Sequence, residues 1–95
     1  MTRQPKRRVV ERVQTGVRME KRVLLVCKAL AGMLDVTLGD LLEGIVLHAF
    51  DGKAPFGPET LTAIHALRSV YHLDLDASDS HLLVENRRRR GRRDA

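Results

Sequence analysis

The sequence predicts a mostly α-helical chain with one short strand near its N-terminus, and that strand needs a second copy of the chain to pair with. Three observations carry this reading. Apolar residues alternate from Val13 to Met19, which is the period of a strand with one buried face. From Glu20 the period changes, and three stretches with helical spacing follow. A lone strand also leaves its backbone N–H and C=O groups without partners in its own chain, so two copies pairing antiparallel resolve what one copy cannot.

Taken in order, residues 1–12 read as a disordered basic arm, polar and charged and broken by Pro5. In the strand, Val13, Thr15, Val17 and Met19 form the face for the core, and Gln14, Gly16 and Arg18 form the other. The first helix repeats Val23, Val26, Cys27, Leu30 and Leu34, with Leu24, Ala31 and Met33 widening the stripe, and should end near Asp35. A second helix follows at once. Thr37 suits its N-cap, Asp40 three residues on gives a short-armed capping box, and Val36 and Leu41 occupy the positions of a hydrophobic staple. Leu38, Leu41, Leu42, Ile45, Val46 and Ala49 make its apolar face, and Asp51-Gly52 closes it. After a loop at 51–58, Pro58 fits the first position of a third helix marked by Leu61, Ile64, Leu67 and Tyr71 and ending near His72. A fourth helical turn is expected from about Ser78 to Glu85, and the last ten residues read as disordered. The chain therefore divides into a basic arm (1–12), a strand-helix-helix core (13–50), a loop with an additional helical segment (51–85) and an Arg-rich tail (86–95).

With 95 residues the chain is long enough for one small domain. Domains of this size often need a disulfide, a metal or a second subunit. The single cysteine, Cys27, rules out an intrachain disulfide and lies in an apolar run, where it reads as a small hydrophobe. A reducing cytoplasm and oligomerisation are the expectation. No targeting segment is recognised, and the longest apolar stretch, Val23 to Leu34, is interrupted by Lys28 and too short to span a membrane. The net charge of +5 is unevenly spread. Residues 1–12 carry five Lys/Arg against one Glu, and residues 86–95 six Arg against one Asp, whereas 13–85 carry six Lys/Arg against ten Asp/Glu. Basic tails around an acidic body point to nucleic acid or an acidic partner, with any DNA contact by the body narrow and local.

The strand VQTGVRM, the helix EKRVLLVCKALAGML, the turn DVTLGD and the helix LLEGIVLHAF, from Val13 to Phe50, together resemble the ribbon-helix-helix (Arc/MetJ-type) family of bacterial DNA-binding proteins. The resemblance implies a homodimer whose two-stranded ribbon lies in the major groove of double-stranded DNA. The positions matching the family's base readers are Gln14, Gly16 and Arg18. Arg donates two hydrogen bonds to guanine and Gln pairs with adenine, while Gly16 reads nothing and lets the backbone sit closer to the bases. The positions matching the phosphate grip at the start of the family's second helix are Thr37, Leu38 and Gly39. The chain departs from the family in having Asp35 where glycine is usual in the turn, in placing the negative Asp40 beside the phosphate site, and in residues 53–95, which the minimal family fold lacks.

Set alone, Arg18 and Gln14 read as ordinary exposed strand residues, and the pairing of strands is what turns them into base readers. The run Arg87, Arg88, Arg89 and Arg90 reads equally as a solvated tail or as a phosphate contact. The four histidines, His48, His65, His72 and His81, lack a compact metal spacing, so no metal or cofactor is expected. Asp74 to Glu85 imitates part of a calcium loop but has Asp79 where such a loop needs glycine, so an acidic turn capped by Asp76 or Ser78 is the better reading. The leading expectation is a sequence-specific transcriptional regulator of repressor type in the bacterial cytoplasm, at the nucleoid. The alternatives are a protein-interaction module that holds a partner through the third helix, as antitoxins and plasmid-segregation factors of the family do, and a non-specific nucleoid-associated protein. An enzyme is not expected: the chain offers no nucleophile-base set and no phosphate-binding glycine loop.

Overall fold

The computed structural model describes residues 7–86, and their order is three α-helices followed by one turn of 3₁₀-helix: α1 (Lys21–Leu34), α2 (Leu38–Phe50), α3 (Pro58–Val70) and η1 (Ala77–Asp79). Arg87, Arg88, Arg89 and Arg90 lie outside the described residues.

Each helix starts and stops for a local reason. At the head of α1, Glu20 acts as N-cap, a role more often given to a shorter side chain. One of its oxygens accepts from the Val23 N–H at 2.9 Å, and the other accepts from Arg22 Nε at 3.1 Å. Thr37 caps α2 as its sequence position predicts, its Oγ1 accepting from the Asp40 N–H at 3.0 Å. The return half of the capping box does not form, because the Asp40 carboxylate faces Arg12 instead. Gly57 precedes α3 without a side-chain cap, and Pro58 at the first position supplies the preset φ.

All three α-helices end the same way, with a left-handed residue and a pair of crossed hydrogen bonds back into the last turn. The left-handed residues are Asp35 (φ 59°), Gly52 (φ 68°) and His72 (φ 56°). Behind them, the N–H groups of Val36, Lys53 and Leu73 reach the carbonyls of Ala31, His48 and Arg68 at 3.0, 2.8 and 2.8 Å. Asp35, where the family resemblance expects glycine, thus occupies a conformation that glycine adopts most easily. The third helix stops at Val70, two residues short of the expected end.

Two expectations need correction. Residues 13–19 are not helical, but no strand is formed among the described residues. A strand is defined by its ladder, and a single chain gives Val13–Met19 nothing to pair with. The fourth helical turn is shorter and earlier than the 78–85 segment expected. Asp76 and Asp79 cap it reciprocally, Asp76 accepting from the Ser78 N–H and Asp79 from the Asp76 N–H, both at 2.9 Å. His81 then turns left-handed at φ 67°, which ends any helical continuation, and residues 82–86 run on without regular structure.

The core is built on α1. Leu30 and Ala31 of α1 meet Leu41 of α2, and Cys27, Ile45, Phe56, Ile64 and Leu67 pack around them. Burial pushes the Cys27 thiol pKa up, in keeping with a packing role rather than a reactive one. With Val26, those three are the only buried hydrophobic side chains among the described residues. The additional segment is tied onto α1 rather than hanging free of it. Arg22 Nη1 donates to the His72 carbonyl and to Asp74, both at 2.9 Å, and Arg68 donates to the Leu75 carbonyl at 2.7 Å. No helix among the described residues is long and apolar enough to cross a membrane.

Candidate nucleic-acid interface

The amphipathic pattern of α2 is only half used by this core. Leu41 is buried and Ile45 packs beside it, but Val46, Leu47, Ala49 and Phe50 are exposed, Phe50 at 79%. At the junction of α1 and α2, Met33, Leu34 and Val36 are exposed as well. So are Val13 and Val17, the residues that alternate toward the intended core. These belong to the same stretch, 13–50, and leave it with apolar side chains facing water on each of its three parts. Where such side chains gather into one patch, the patch marks an interaction site more often than a solvated face.

The candidate base readers sit on the non-helical lead-in to α1. Gln14, Gly16 and Arg18 are all exposed, and a side chain added at Gly16 would meet nothing within 4 Å, so no crowding within the chain calls for glycine there. Arg18 is not idle: its guanidinium forms an ion pair with Glu85 from the segment after η1. Sixty-seven residues separate the two in sequence, and no periodicity or motif could have joined them.

The candidate phosphate grip at Thr37, Leu38 and Gly39 is the first turn of α2. The Thr37 hydroxyl and carbonyl are engaged by the N–H groups of Asp40 and Leu41, both at 3.0 Å. The N–H groups of Leu38 and Gly39 at the positive end of the helix take no partner among the described residues. Asp40 places negative charge at this turn. It is offset by Arg12, which sequence reasoning passed over as one charge of the basic arm. Arg12 binds Glu43 through two nitrogens at 2.9 and 2.8 Å and approaches Asp40 at 3.5 Å. The Arg12 hydrogen bond holds the Glu43 pKa below the usual carboxylate range. The arm is thereby docked on α2 at its last residue, and the acidic start of the helix is part-neutralised from within the chain.

Elsewhere the acidic residues have structural duties. Asp74 belongs to Arg22, and Asp76 and Asp79 to the capping of η1. The imitation of a calcium loop at 74–85 is therefore a capped turn. Among the described residues no three of His, Cys, Asp and Glu gather closely enough to hold a metal ion.

No protein-family model matches the chain, and neither does any curated protein or solved structure. The functional reading rests on the chemistry of these residues.

Proposed function

We propose that the chain is a double-stranded-DNA-binding regulator of repressor type that works as a homodimer. Residues 13–19 of two copies pair as an antiparallel ribbon, one face of the ribbon packs on the shared helices, and the other presents Gln14, Gly16 and Arg18 to the major groove. The observation that carries this reading is the apolar side chains left open along residues 13–50: Val13, Val17, Met33, Leu34, Val46, Leu47 and Phe50 are exposed, while only four side chains are buried among the described residues. A second copy is the occupant that satisfies both these side chains and the unpaired backbone of 13–19. The N–H groups of Leu38 and Gly39, beside an Asp40 that Arg12 approaches at 3.5 Å, then suit a phosphate oxygen, and the Arg87–Arg90 run adds sequence-independent affinity.

A second reading has one observation in its favour. Asp40 and Glu43 leave the start of α2 acidic even with Arg12 in place. If the body repels DNA, the tails alone bind it and the protein coats DNA without reading it. Selection from a random duplex pool separates the two, with the full chain compared with a variant lacking 1–11 and 86–95. Enrichment of one inverted repeat by both proteins supports the ribbon; binding that vanishes with the tails supports coating. Within the ribbon reading, Arg18→Ala should cost about 1–3 kcal/mol on the enriched site and relax preference at one base pair per half-site. Unchanged binding by that variant would remove Arg18 from the interface.

A further inference from the structure

We infer that the segment after η1 guards the ribbon: Glu85 holds the Arg18 guanidinium, and DNA must displace this carboxylate before Arg18 reaches a base edge. The inference rests on the reading of Arg18 as a DNA contact and adds a regulatory device to it. A carboxylate accepts through the same fork of N–H donors that a guanine edge would use, so the two acceptors compete for one side chain.

The fold delivers Glu85 to this position by a series of fixed turns. Arg22 clasps the His72 carbonyl and Asp74, Arg68 holds the Leu75 carbonyl, and Asp76 and Asp79 cap η1. Up to Ser80 the path is therefore pinned to α1 and α3. Beyond His81 the chain changes character. Leu82, Leu83 and Val84 are exposed and bury little that would hold them. An ion pair between Arg18 and Glu85 joins this loosely packed strap to the ribbon segment. The pair itself is open to solvent, with side chains 73% and 45% exposed, so it is weak and screened by salt. Weakness is what the role requires. A guanine edge displaces the carboxylate, whereas DNA that offers no such edge leaves it in place.

The additional segment thereby acquires a purpose beyond packing on α1. It carries a brake, Glu85, immediately before the Arg-rich run that begins at residue 87. The brake and the run then act in opposite directions: the brake opposes base reading and the run favours binding to any sequence.

The test is a double-mutant cycle on the full chain, read as affinity for the duplex recovered by selection and for an unrelated duplex of the same length. Glu85→Gln should tighten binding to the selected duplex by about 2- to 30-fold, the range that exposed ion pairs allow when two arginines per dimer are released. The gain on the unrelated duplex should be smaller. In an Arg18→Ala background, Glu85→Gln should leave no gain beyond that seen on unrelated DNA. Glu85→Asp, which keeps the charge but draws it back by one methylene, should give part of the gain. Circular dichroism checks that each variant folds, as substitution at an exposed position on the strap should allow. Equal gains with and without Arg18 would overturn the guard, since they would reflect net charge alone. Tight binding by the unaltered chain with no gain in Glu85→Gln would overturn the guard while leaving DNA reading intact. Absence of binding by every protein in the cycle would overturn both.

Discussion

Phe50→Ala tests the homodimer directly, because Phe50 contributes little to the core of one chain and much to the face left open. Fully burying a Phe side chain is worth about 1.5–3 kcal/mol relative to leaving it in water. Phe50 is 79% exposed, so most of that gain is still to be made when a second copy arrives. Taking about 1–2 kcal/mol per copy and two copies per dimer, the substitution should weaken dimerisation by about 2–4 kcal/mol, or about 30- to 1000-fold in dissociation constant. Sedimentation equilibrium over a protein concentration series measures this. Val70→Ala serves as the control, since Val70 is also exposed but lies at the end of α3, outside residues 13–50. It should leave the dissociation constant within twofold, on the order of what a surface substitution changes. The reasoning fails if the unaltered chain sediments as a folded monomer at micromolar concentration, or if Val70→Ala weakens association as much as Phe50→Ala does.

Other consequences concern the helix ends. Asp35→Gly should stabilise the fold by about 0.5–1 kcal/mol, because φ 59° suits glycine better than any L side chain, and Asp35→Ala should not. Thermal melts at one fixed protein concentration would show this as a rise of about 4–8 °C per kcal/mol, and a fall for glycine would mean that the Asp35 side chain has a role of its own. Glu20→Ala should destabilise by about 1 kcal/mol through loss of the α1 cap, with a further loss from freeing Arg22; denaturant unfolding with an unchanged slope would be the expected record. Acid should weaken the fold in a defined window. At Glu20, burial works against the ionised form, but the Val23 N–H and Arg22 outweigh it and hold its pKa down. Arg12 does the same for Glu43, and the Ser78 hydroxyl and N–H for Asp76. A carboxylate whose pKa is lowered by folding adds stability that is fully present above its unfolded pKa, about 4. That stability is lost as pH falls through the folded pKa. Stability should thus hold from pH 7 to about 5 and decline below about 4, and Glu43→Gln should flatten part of that decline. A decline of unchanged depth in that variant would remove the Arg12 contact from the account.

The helices were legible because their signals are local. Thr37, Pro58 and the Asp51-Gly52 stop each act within one turn, and the periodicity of α1 points at the three residues it buries, Val26, Leu30 and Ala31. Capping was legible in part only. The sequence pairs Thr37 with Asp40, but whether the Asp40 side chain turns back to the cap is settled by Arg12, a residue 28 positions away. Glu20 as a cap was missed because a longer side chain reaches the N–H groups only when something holds it, and here Arg22 does. The strand differs in kind from these cases. Its alternation is written in the sequence, but a strand also needs a partner for its hydrogen bonds, so one chain displays Val13–Met19 without regular structure and with Val13 and Val17 exposed.

This difference says where information about function resides in such a chain. Contacts between near neighbours build α1, α2 and α3, and a reading of spacing finds them. The candidate site is made of residues that meet across the fold: Arg12 with Glu43, Arg22 with Asp74, Arg18 with Glu85. Each joins a cation from the first two dozen residues to an acid at least 31 positions further on. Counted by segment, these charges look like a basic arm, an acidic body and a basic tail, and the acidic body argues against DNA. Paired in space, five of its carboxylates, those of Glu20, Asp40, Glu43, Asp74 and Glu85, lie against Arg12, Arg18 or Arg22. Arg18 and Arg22 are already counted in that body, so only Arg12 brings it positive charge from outside, beside Asp40 and Glu43. For Arg12, with two acceptor residues, and Arg22, with three, the intrachain contacts are structural and, on the proposed reading, should persist on DNA. For Arg18, with one exposed acceptor on a loosely packed strap, a change of partner on DNA is the step that the Glu85→Gln cycle tests.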